Sequence, residues 1–469
     1  MTTSPDPRAQ NTETTDTPTG AQPRRQLGVW HAVSVCVGMV VGAGIFKTSP
    51  MVAASLGSDT ALYLAWAIGG VLSFMGALCF AELASAFPSP GGDYHFLRLA
   101  YGRWLGLLFA WSRFAVIHTG SMALLAFVFG DYLGQLIPLG PYGSAVFAAA
   151  AISVLVVLNL RGVQIGLGTQ IGLMVLVIGG MLAVGLAGGW LVWQGTAPAT
   201  ALVAAPGSAG HDAFGVAMVF VFLAYGGWSD AATLSAEMRD ERRGIVHALM
   251  LGLALVAGMY LLANWAYLQG LGLEGLARSD APAADLMRRA FGPAGEVAIV
   301  GVVAITSITV MNATLIAGAR TTFAAARDLP RRTALGDWDM SRGVPAGAVM
   351  AIGGVALLLV GFGTLTRGGF ATMVDYLSPV YWFFLMLSGA AVIVLRKKCP
   401  DTPRPFRVPL FPLLPLLFVG CSAYLLHASV VYVKAGAVAG LAVLVLGGLV
   451  LWPLSRERGG GSASKKPEH

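Results

Sequence analysis

Hydrophobic residues along this chain fall into long runs that are separated by short polar segments. A helix needs about 20 apolar residues to cross a bilayer, and by that length the pattern predicts an all-α polytopic membrane protein with twelve transmembrane helices. The predicted spans are 29–49, 60–87, 104–129, 142–159, 170–193, 213–235, 246–269, 295–318, 344–364, 370–395, 409–429 and 432–453. Together they form one membrane domain, 28–454, between a disordered polar tail, 1–27, and a flexible tail, 455–469.

Glycines interrupt two of these runs in the middle. Gly42 and Gly44 break span 1, and Gly226 and Gly227 break span 6. Irregular backbone at that depth must be surrounded by protein or by a water-filled cavity, because lipid offers no hydrogen-bond partners. Spans 1 and 6 have opposite orientations, so the pattern predicts an inverted repeat of spans 1–5 and 6–10 followed by two extra helices. Paired breaks of this kind are typical of the substrate site of a secondary transporter.

The composition agrees with a membrane protein and narrows its orientation. Hydrophobic residues make up 56% of the chain and charged residues only 11%. If both termini are cytoplasmic, most of the 30 Lys and Arg residues lie on the inner side, which is typical of a multi-pass protein of the cytoplasmic membrane. These basic residues lie at span ends and form no basic domain, so nucleic acid is not an expected partner.

Enzymatic function is not indicated by the motifs. The four cysteines show no metal or redox spacing, and the sequence contains no metal-ligand cluster, nucleophile–base pair or phosphate-binding loop. We therefore expect no metal, no cofactor and no catalytic residues.

The two breaks offer groups that suit an amino acid substrate. Exposed amides of Gly42, Ala43 and Gly44, at the start of a half-helix, suit a carboxylate through hydrogen bonds and the helix dipole. An ammonium group suits the backbone carbonyl oxygens near the breaks, which belong to Val40, Leu223 and Tyr225. Close helix packing by small residues is the alternative explanation of the glycines.

Five ordered motifs carry a more specific resemblance. They are Gly42-Ala43-Gly44-Ile45-Phe46, Ala81-Glu82-Leu83 with Pro88-Ser89-Pro90-Gly91-Gly92-Asp93-Tyr94, Phe222-Leu223-Ala224-Tyr225-Gly226-Gly227-Trp228, Glu237-Met238-Arg239, and Arg404-Pro405-Phe406-Arg407-Val408-Pro409. With these motifs the chain resembles the amino acid–polyamine–organocation (APC) superfamily, close to bacterial and light-subunit L-type amino acid transporters, over about residues 28–430.

This resemblance implies a substrate site at the two breaks and a transport mode. Spans 1, 2, 6 and 7 would rock against a scaffold and so expose the site to each side in turn. The expected substrate-binding residues are Val40, Gly42, Ala43, Gly44, Ile45, Leu223, Ala224, Tyr225, Gly226 and Trp228.

Departures from the family pattern leave open which ion, if any, is coupled to substrate transport. Many relatives carry a span 5 lysine that replaces a cation, whereas residues 166–193 contain neither Lys nor Arg. Thr306 and Ser307 of span 8 could then help to hold sodium, or they could bond to their own helix backbone. Leu223 stands where animal relatives place a gating phenylalanine. Residues 130–141 contain no cysteine, so a disulfide-linked heavy subunit is not expected.

Charged residues inside the spans are candidates for coupling or gating. Arg113 in span 3 needs a partner, because an unpaired cation in the membrane is costly; Asp230 and Glu82 are the candidates. Arg113 either has a structural role, in an ion pair or by snorkelling, or shapes a polar substrate pocket or a proton route. His118 could take part in proton coupling or could pack as a hydrogen-bonded residue. Glu237 could form a cytoplasmic gate or an interfacial charged face, and Lys47 is expected to snorkel.

The sequence thus favours a secondary active amino acid transporter that works by exchange or by proton- or ion-coupled uptake. One alternative is an amine or polyamine permease, although such substrates lack the carboxylate that the span 1 amides would bind. Another is a transporter-like sensor, which the short tails disfavour.

Overall fold

The computed structural model describes most of the chain. The described residues are 33, 36–38, 40–42, 44–89, 91–162, 167–196, 211–230, 244–327, 333–340, 342–366, 368–431 and 435–457. Within these ranges the protein is an all-α polytopic membrane protein, and ten of the described helices are long and apolar enough to cross a membrane.

Most of the described helices follow the predicted spans. Their bounds are α1 (Ile45–Leu56), α2 (Asp59–Ala86), α3 (Asp93–Tyr101), α4 (Arg103–Ser112), a π-helical turn (Arg113–His118), α5 (Thr119–Leu136), α6 (Gly143–Leu160), α7 (Leu167–Trp193), α8 (His211–Ala224), α9 (Gly244–Arg278), α10 (Pro282–Arg327), α11 (Ala346–Leu365), α12 (Gly369–Lys398), α13 (Leu413–Val431) and α14 (Ala435–Glu457). The short helices α1 and α8 occupy predicted spans 1 and 6, so the count of twelve spans stays a prediction.

Both predicted interruptions are confirmed. In span 1 the described residues 36–38 and 40 are helical, Val41 and Gly42 form a bend, and the helix resumes at Ile45. In span 6, α8 ends at Ala224 and residues 225–229 form turns. The two breaks lie against each other, since a Cβ atom added to Gly44 would stand 3.7 Å from the Ala224 Cα atom.

Two helices are longer than the sequence suggested. α9 continues through Gly272, which has φ 70°, to Arg278. α10 starts at Pro282 and passes a non-helical Gly292, which has φ 69°, before it enters predicted span 8. The first part of α10, where Leu286 and Met287 are buried, therefore precedes predicted span 8.

Lys47 is buried rather than snorkelling, with only 3% of its surface exposed. Its ammonium group lies 2.8 Å from Asp131 Oδ2 and 3.1 Å from Asp280 Oδ1. Nearby, the Tyr132 hydroxyl donates a hydrogen bond of 2.8 Å to the Phe46 carbonyl and accepts one from the Ala283 amide. These contacts tie α1 to α5 and to the α9–α10 connection.

Candidate functional site

A cavity of about 200 Å³ lies beside the point where the two breaks meet. Its described lining comes from both breaks, from the first residue of α3, from the α4–α5 segment and from α10 and α12. The sequence-predicted residues in the lining are Val40, Gly42, Gly44, Leu223, Ala224, Gly226, Arg113 and Asp230. Predicted residues from distant parts of the chain thus surround one space.

The backbone of the first break is partly occupied by its own turn. The Gly42 amide donates a 2.8 Å hydrogen bond to the Val40 carbonyl, so it is not free for a carboxylate in this conformation. A Cβ atom added to Gly42 would meet nothing within 4 Å, which places this glycine beside open space. Ala43 lies outside the described residues. Carboxylate binding by these amides stays a prediction, and at Gly42 it requires the turn to open.

Tyr260 of α9 connects the two breaks, and the sequence pattern did not single it out. Its hydroxyl lies 3.1 Å from the Val40 carbonyl oxygen and 2.9 Å from the Ala224 carbonyl oxygen. A hydroxyl has one proton, so it donates to one of these acceptors at a time. Tyr260 is fully buried and fixes the relative position of the carbonyl groups at both breaks.

Three predicted binding residues lie outside the cavity lining. Ile45 is fully buried in α1. The Tyr225 hydroxyl donates a 3.1 Å hydrogen bond to the Trp66 carbonyl, so the side chain points toward α2. Trp228 packs edge-on against Phe80, with ring centroids 5.1 Å apart. The Tyr225 and Trp228 side chains thus pack the span 6 break against α2 on the side away from the cavity.

Arg113 forms its ion pair with Asp230. The Arg113 Nη1 atom lies 2.6 Å from Asp230 Oδ1, and the guanidinium carbon lies 5.7 Å from the centre of the Phe109 ring. Both charged residues line the cavity. The pair therefore joins the π-helical turn after α4 to the break after α8 at the wall of the cavity.

The π-helical turn explains why Arg113 and His118 meet. Residues five apart point in different directions on an α-helix, whereas a π-helix pairs residues at i and i+5. The Arg113 Nη2 atom lies 3.0 Å from His118 Nε2. Because a guanidinium group can only donate, His118 Nε2 accepts this hydrogen bond and the imidazole is neutral in this arrangement.

Glu82 has other partners and does not pair with Arg113 in this structure. Its carboxylate accepts hydrogen bonds from Arg396 at 2.7 and 2.6 Å and from the Val408 amide at 2.6 Å. Arg404 adds a contact of 3.6 Å. Two of the motifs noted in the sequence, around Glu82 and around 404–409, therefore bind to each other; this buried arrangement is called the Glu82 cluster below.

The two predicted hydroxyls of span 8, Thr306 and Ser307, do not line the cavity. Thr306 donates a 2.7 Å hydrogen bond to the Val302 carbonyl of its own helix, which is the backbone bonding that the sequence left open. Ser307 Oγ is buried without a hydrogen-bond partner among the described residues. Glu237 lies outside the described residues. In the described part of the chain, no group of three His, Cys, Asp or Glu side chains is arranged to hold a metal ion.

Asp93 is a cavity residue that the sequence reasoning missed. It lies between the long helices, at the first position of α3, and follows Gly92, whose φ of 46° favours glycine. Burial raises the pKa of the Asp93 carboxyl to about 8; Arg113 lowers it in part and Asp230 raises it. The signal in the sequence is the Gly91-Gly92-Asp93 turn, which lies within one of the family motifs.

Comparison with known proteins places these features in a family context. Residues 27–451 match the sequence model of the family described as amino acid permease. The chain is 27% identical to the mouse (Mus musculus) b(0,+)-type amino acid transporter 1 over 441 residues, which cover 92% of this chain and 87% of the relative. It is 28% identical to the mouse large neutral amino acids transporter small subunit 2 over 445 residues, covering 91% and 80%.

A bacterial protein is similarly related. The serine/threonine exchanger SteT of Bacillus subtilis (strain 168) is 26% identical over 418 residues, which cover 87% of this chain and 92% of that protein. The similarity therefore extends through both breaks and the helices that surround the cavity.

Proposed function

This chain belongs to the amino acid permease family, and on that premise we propose that its central cavity binds small amino acids and passes them across the cytoplasmic membrane by alternating access. Secondary amino acid transport, rather than catalysis, follows from the family. The observation that carries the proposed site is the meeting of both breaks at one cavity with a charged wall. A zwitterion needs both polar backbone and fixed charges in such a low-dielectric place.

Within this proposal the two breaks contact the backbone of the substrate. Val40, Gly42 and Gly44 on one side and Leu223, Ala224 and Gly226 on the other line the space. The Arg113–Asp230 pair then lies where the substrate side chain or a coupling ion would reach. Both termini are proposed to be cytoplasmic, since that orientation places most Lys and Arg residues inside, and no disulfide-linked heavy subunit is expected.

An amine or polyamine permease is the second candidate, and one structural observation favours it. Asp93 lines the cavity together with Asp230. Two carboxylates would attract a cationic substrate. The carboxylate of an amino acid must therefore be tested as a requirement for uptake.

The decisive experiment is uptake into proteoliposomes of a panel of labelled small neutral amino acids and of amines. Internal amino acid, a proton gradient and a sodium gradient are each supplied alone. We expect at least one amino acid to be taken up under one of these three conditions. Uptake of amines alone would establish the second candidate, and binding without any uptake would establish a sensor.

A substitution at Gly42 tests whether the cavity is the substrate site. The Gly42→Val side chain enters open space, because nothing lies within 4 Å of the added Cβ atom. It should therefore abolish uptake by filling the cavity while the protein keeps its melting temperature. The matched control is Gly354→Val on the exposed face of α11, where nothing lies within 4 Å either. Normal uptake by Gly42→Val would place the substrate elsewhere.

A further inference from the structure

The described wall of the cavity contains three charged side chains, and one carboxylate oxygen among them has no hydrogen-bond partner in the described part of the chain. Asp93, Arg113 and Asp230 all line the cavity, so this set carries one more negative than positive charge. Arg113 directs its two Nη atoms at Asp230 and His118. Asp93 Oδ1 is buried, and no hydrogen-bond partner for it exists among the described residues. A buried carboxylate in that position is costly until a positive group neutralises it.

The other titratable groups around Asp93 are already engaged or are not acids at neutral pH. A proton on His118 Nε2 would break its contact with Arg113. A proton on Asp230 would remove the negative charge that Arg113 pairs with at 2.6 Å. Tyr381 of α12 also lines the cavity, but a phenol does not change charge near pH 7. His95 and Arg98 lie farther along α3 and do not line the cavity.

We propose that Asp93 is the proton-binding residue of this transporter and that one proton on its carboxyl accompanies each zwitterionic amino acid through the cavity. The inference rests on the proposed function, since it assigns the coupling of the same site. It differs from the expectation that His118 or the span 8 hydroxyls carry the coupling. The raised pKa of Asp93, about 8, means that the carboxyl takes up a proton near neutral pH.

The charges balance in a simple cycle. On the entry side, Asp93 takes one proton from water, and the charged set becomes neutral: a carboxylic acid beside the Arg113–Asp230 pair. On the other side the proton returns to water, and the set again carries one negative charge. One positive charge therefore moves inward with each neutral substrate, so an inside-negative potential should increase accumulation.

The test separates coupled uptake from exchange in proteoliposomes made with the full chain. With the membrane potential clamped at zero, one proton per substrate allows about tenfold accumulation for a pH difference of about one unit, acid outside. The wild type should reach this level. Asp93→Asn removes the titratable group and should reduce accumulation to about the external concentration, while counterflow of labelled against unlabelled amino acid remains measurable.

Two further variants make the result specific. Asp93→Glu keeps a carboxyl and should restore proton-driven accumulation. Asp401→Asn makes the same chemical change at an exposed position away from the cavity and should behave as wild type. In the wild type, proton-driven uptake should decline as the outside pH rises through about 8, because the Asp93 carboxyl then stays deprotonated.

Each other outcome overturns the inference. Full accumulation by Asp93→Asn under the proton gradient would show that another group binds the proton. A wild type that exchanges amino acids but never accumulates them with protons would show that the protein is an exchanger only. Selective loss of diamine or lysine uptake in Asp93→Asn, with neutral uptake intact, would make Asp93 a site for a substrate cation. Absence of both exchange and uptake of any amino acid in the wild type would instead contradict the proposed function.

Discussion

Two carboxylate–arginine contacts inside the helix bundle look alike in sequence but differ in their surroundings. Glu82 is only 3% exposed and meets Arg396, Arg404 and the Val408 amide. Asp230 is 40% exposed, and Arg113 holds it through one guanidinium nitrogen. The first contact has donors on both carboxylate oxygens in a dry place, whereas the second faces a cavity. Burial and the number of donors therefore distinguish a contact that stabilises the fold from one that is accessible to a ligand.

The Glu82 cluster should give the largest effect on stability. Glu82→Gln leaves Arg396 and Arg404 without their counter-charge, and removing one partner of a buried pair costs about 3–5 kcal/mol. The variant should show a strongly lowered melting temperature in detergent. Glu274→Gln is the matched control, because the Glu274–Arg278 pair is on the surface and such pairs contribute about 0–1 kcal/mol.

The Glu82→Gln variant can also contradict a structural role for the Glu82 cluster. If Glu82→Gln melts like the wild type but no longer transports, then the Glu82 cluster is a gate between α2 and the α12–α13 connection rather than a structural contact. Uptake per folded molecule must therefore be measured alongside the melting curve.

Breaking the Arg113–Asp230 pair should have a small effect on stability and a large effect on uptake. Because both side chains are partly exposed, breaking the pair costs less, about 1–3 kcal/mol, and the melting temperature should change less than in Glu82→Gln. Uptake should fall about tenfold or more in Arg113→Ala and Asp230→Asn, because each 1.4 kcal/mol lost from binding is a factor of ten. Arg113→Lys keeps the charge but loses the planar contacts of a guanidinium group, and it should retain an intermediate rate. Uptake that survives all three changes in folded protein would reduce the pair to a structural role.

Features that depend on neighbouring residues could be predicted from the sequence, whereas contacts between residues far apart along the chain could not. The breaks at Gly42 and Gly226 could be predicted, because glycine within an apolar run is a local signal. Arg113 was recognised as needing a partner, and Asp230 was one of two candidates. The choice between Asp230 and Glu82 could not be made, since it depends on which helices pack together over more than 100 residues of chain.

Other features depend on backbone geometry that no local pattern encodes. The π-helical turn that brings His118 to Arg113 has no distinctive residue in its sequence. Asp93, the first residue of α3, lines the cavity directly after Gly92, which adopts a positive φ. Lys47 was expected to snorkel, and it is buried because Asp131 and Asp280 lie close enough to neutralise it.

The smallest predicted effect concerns neutral groups rather than charges, and it tests whether the two breaks must be held together. Tyr260→Phe removes the hydroxyl that lies beside the Val40 and Ala224 carbonyls, and the loss of one such hydrogen bond costs about 1 kcal/mol. Uptake should fall about fivefold with a modest decrease in melting temperature, because the cavity keeps its shape but the breaks are less well fixed. Tyr267→Phe is the matched control on the same helix: its hydroxyl is buried and has no hydrogen-bond partner among the described residues, so removing it should cost nothing. Equal effects of both variants on uptake would mean that the hydroxyl at Tyr260 does not position the breaks and that α9 contributes only through packing.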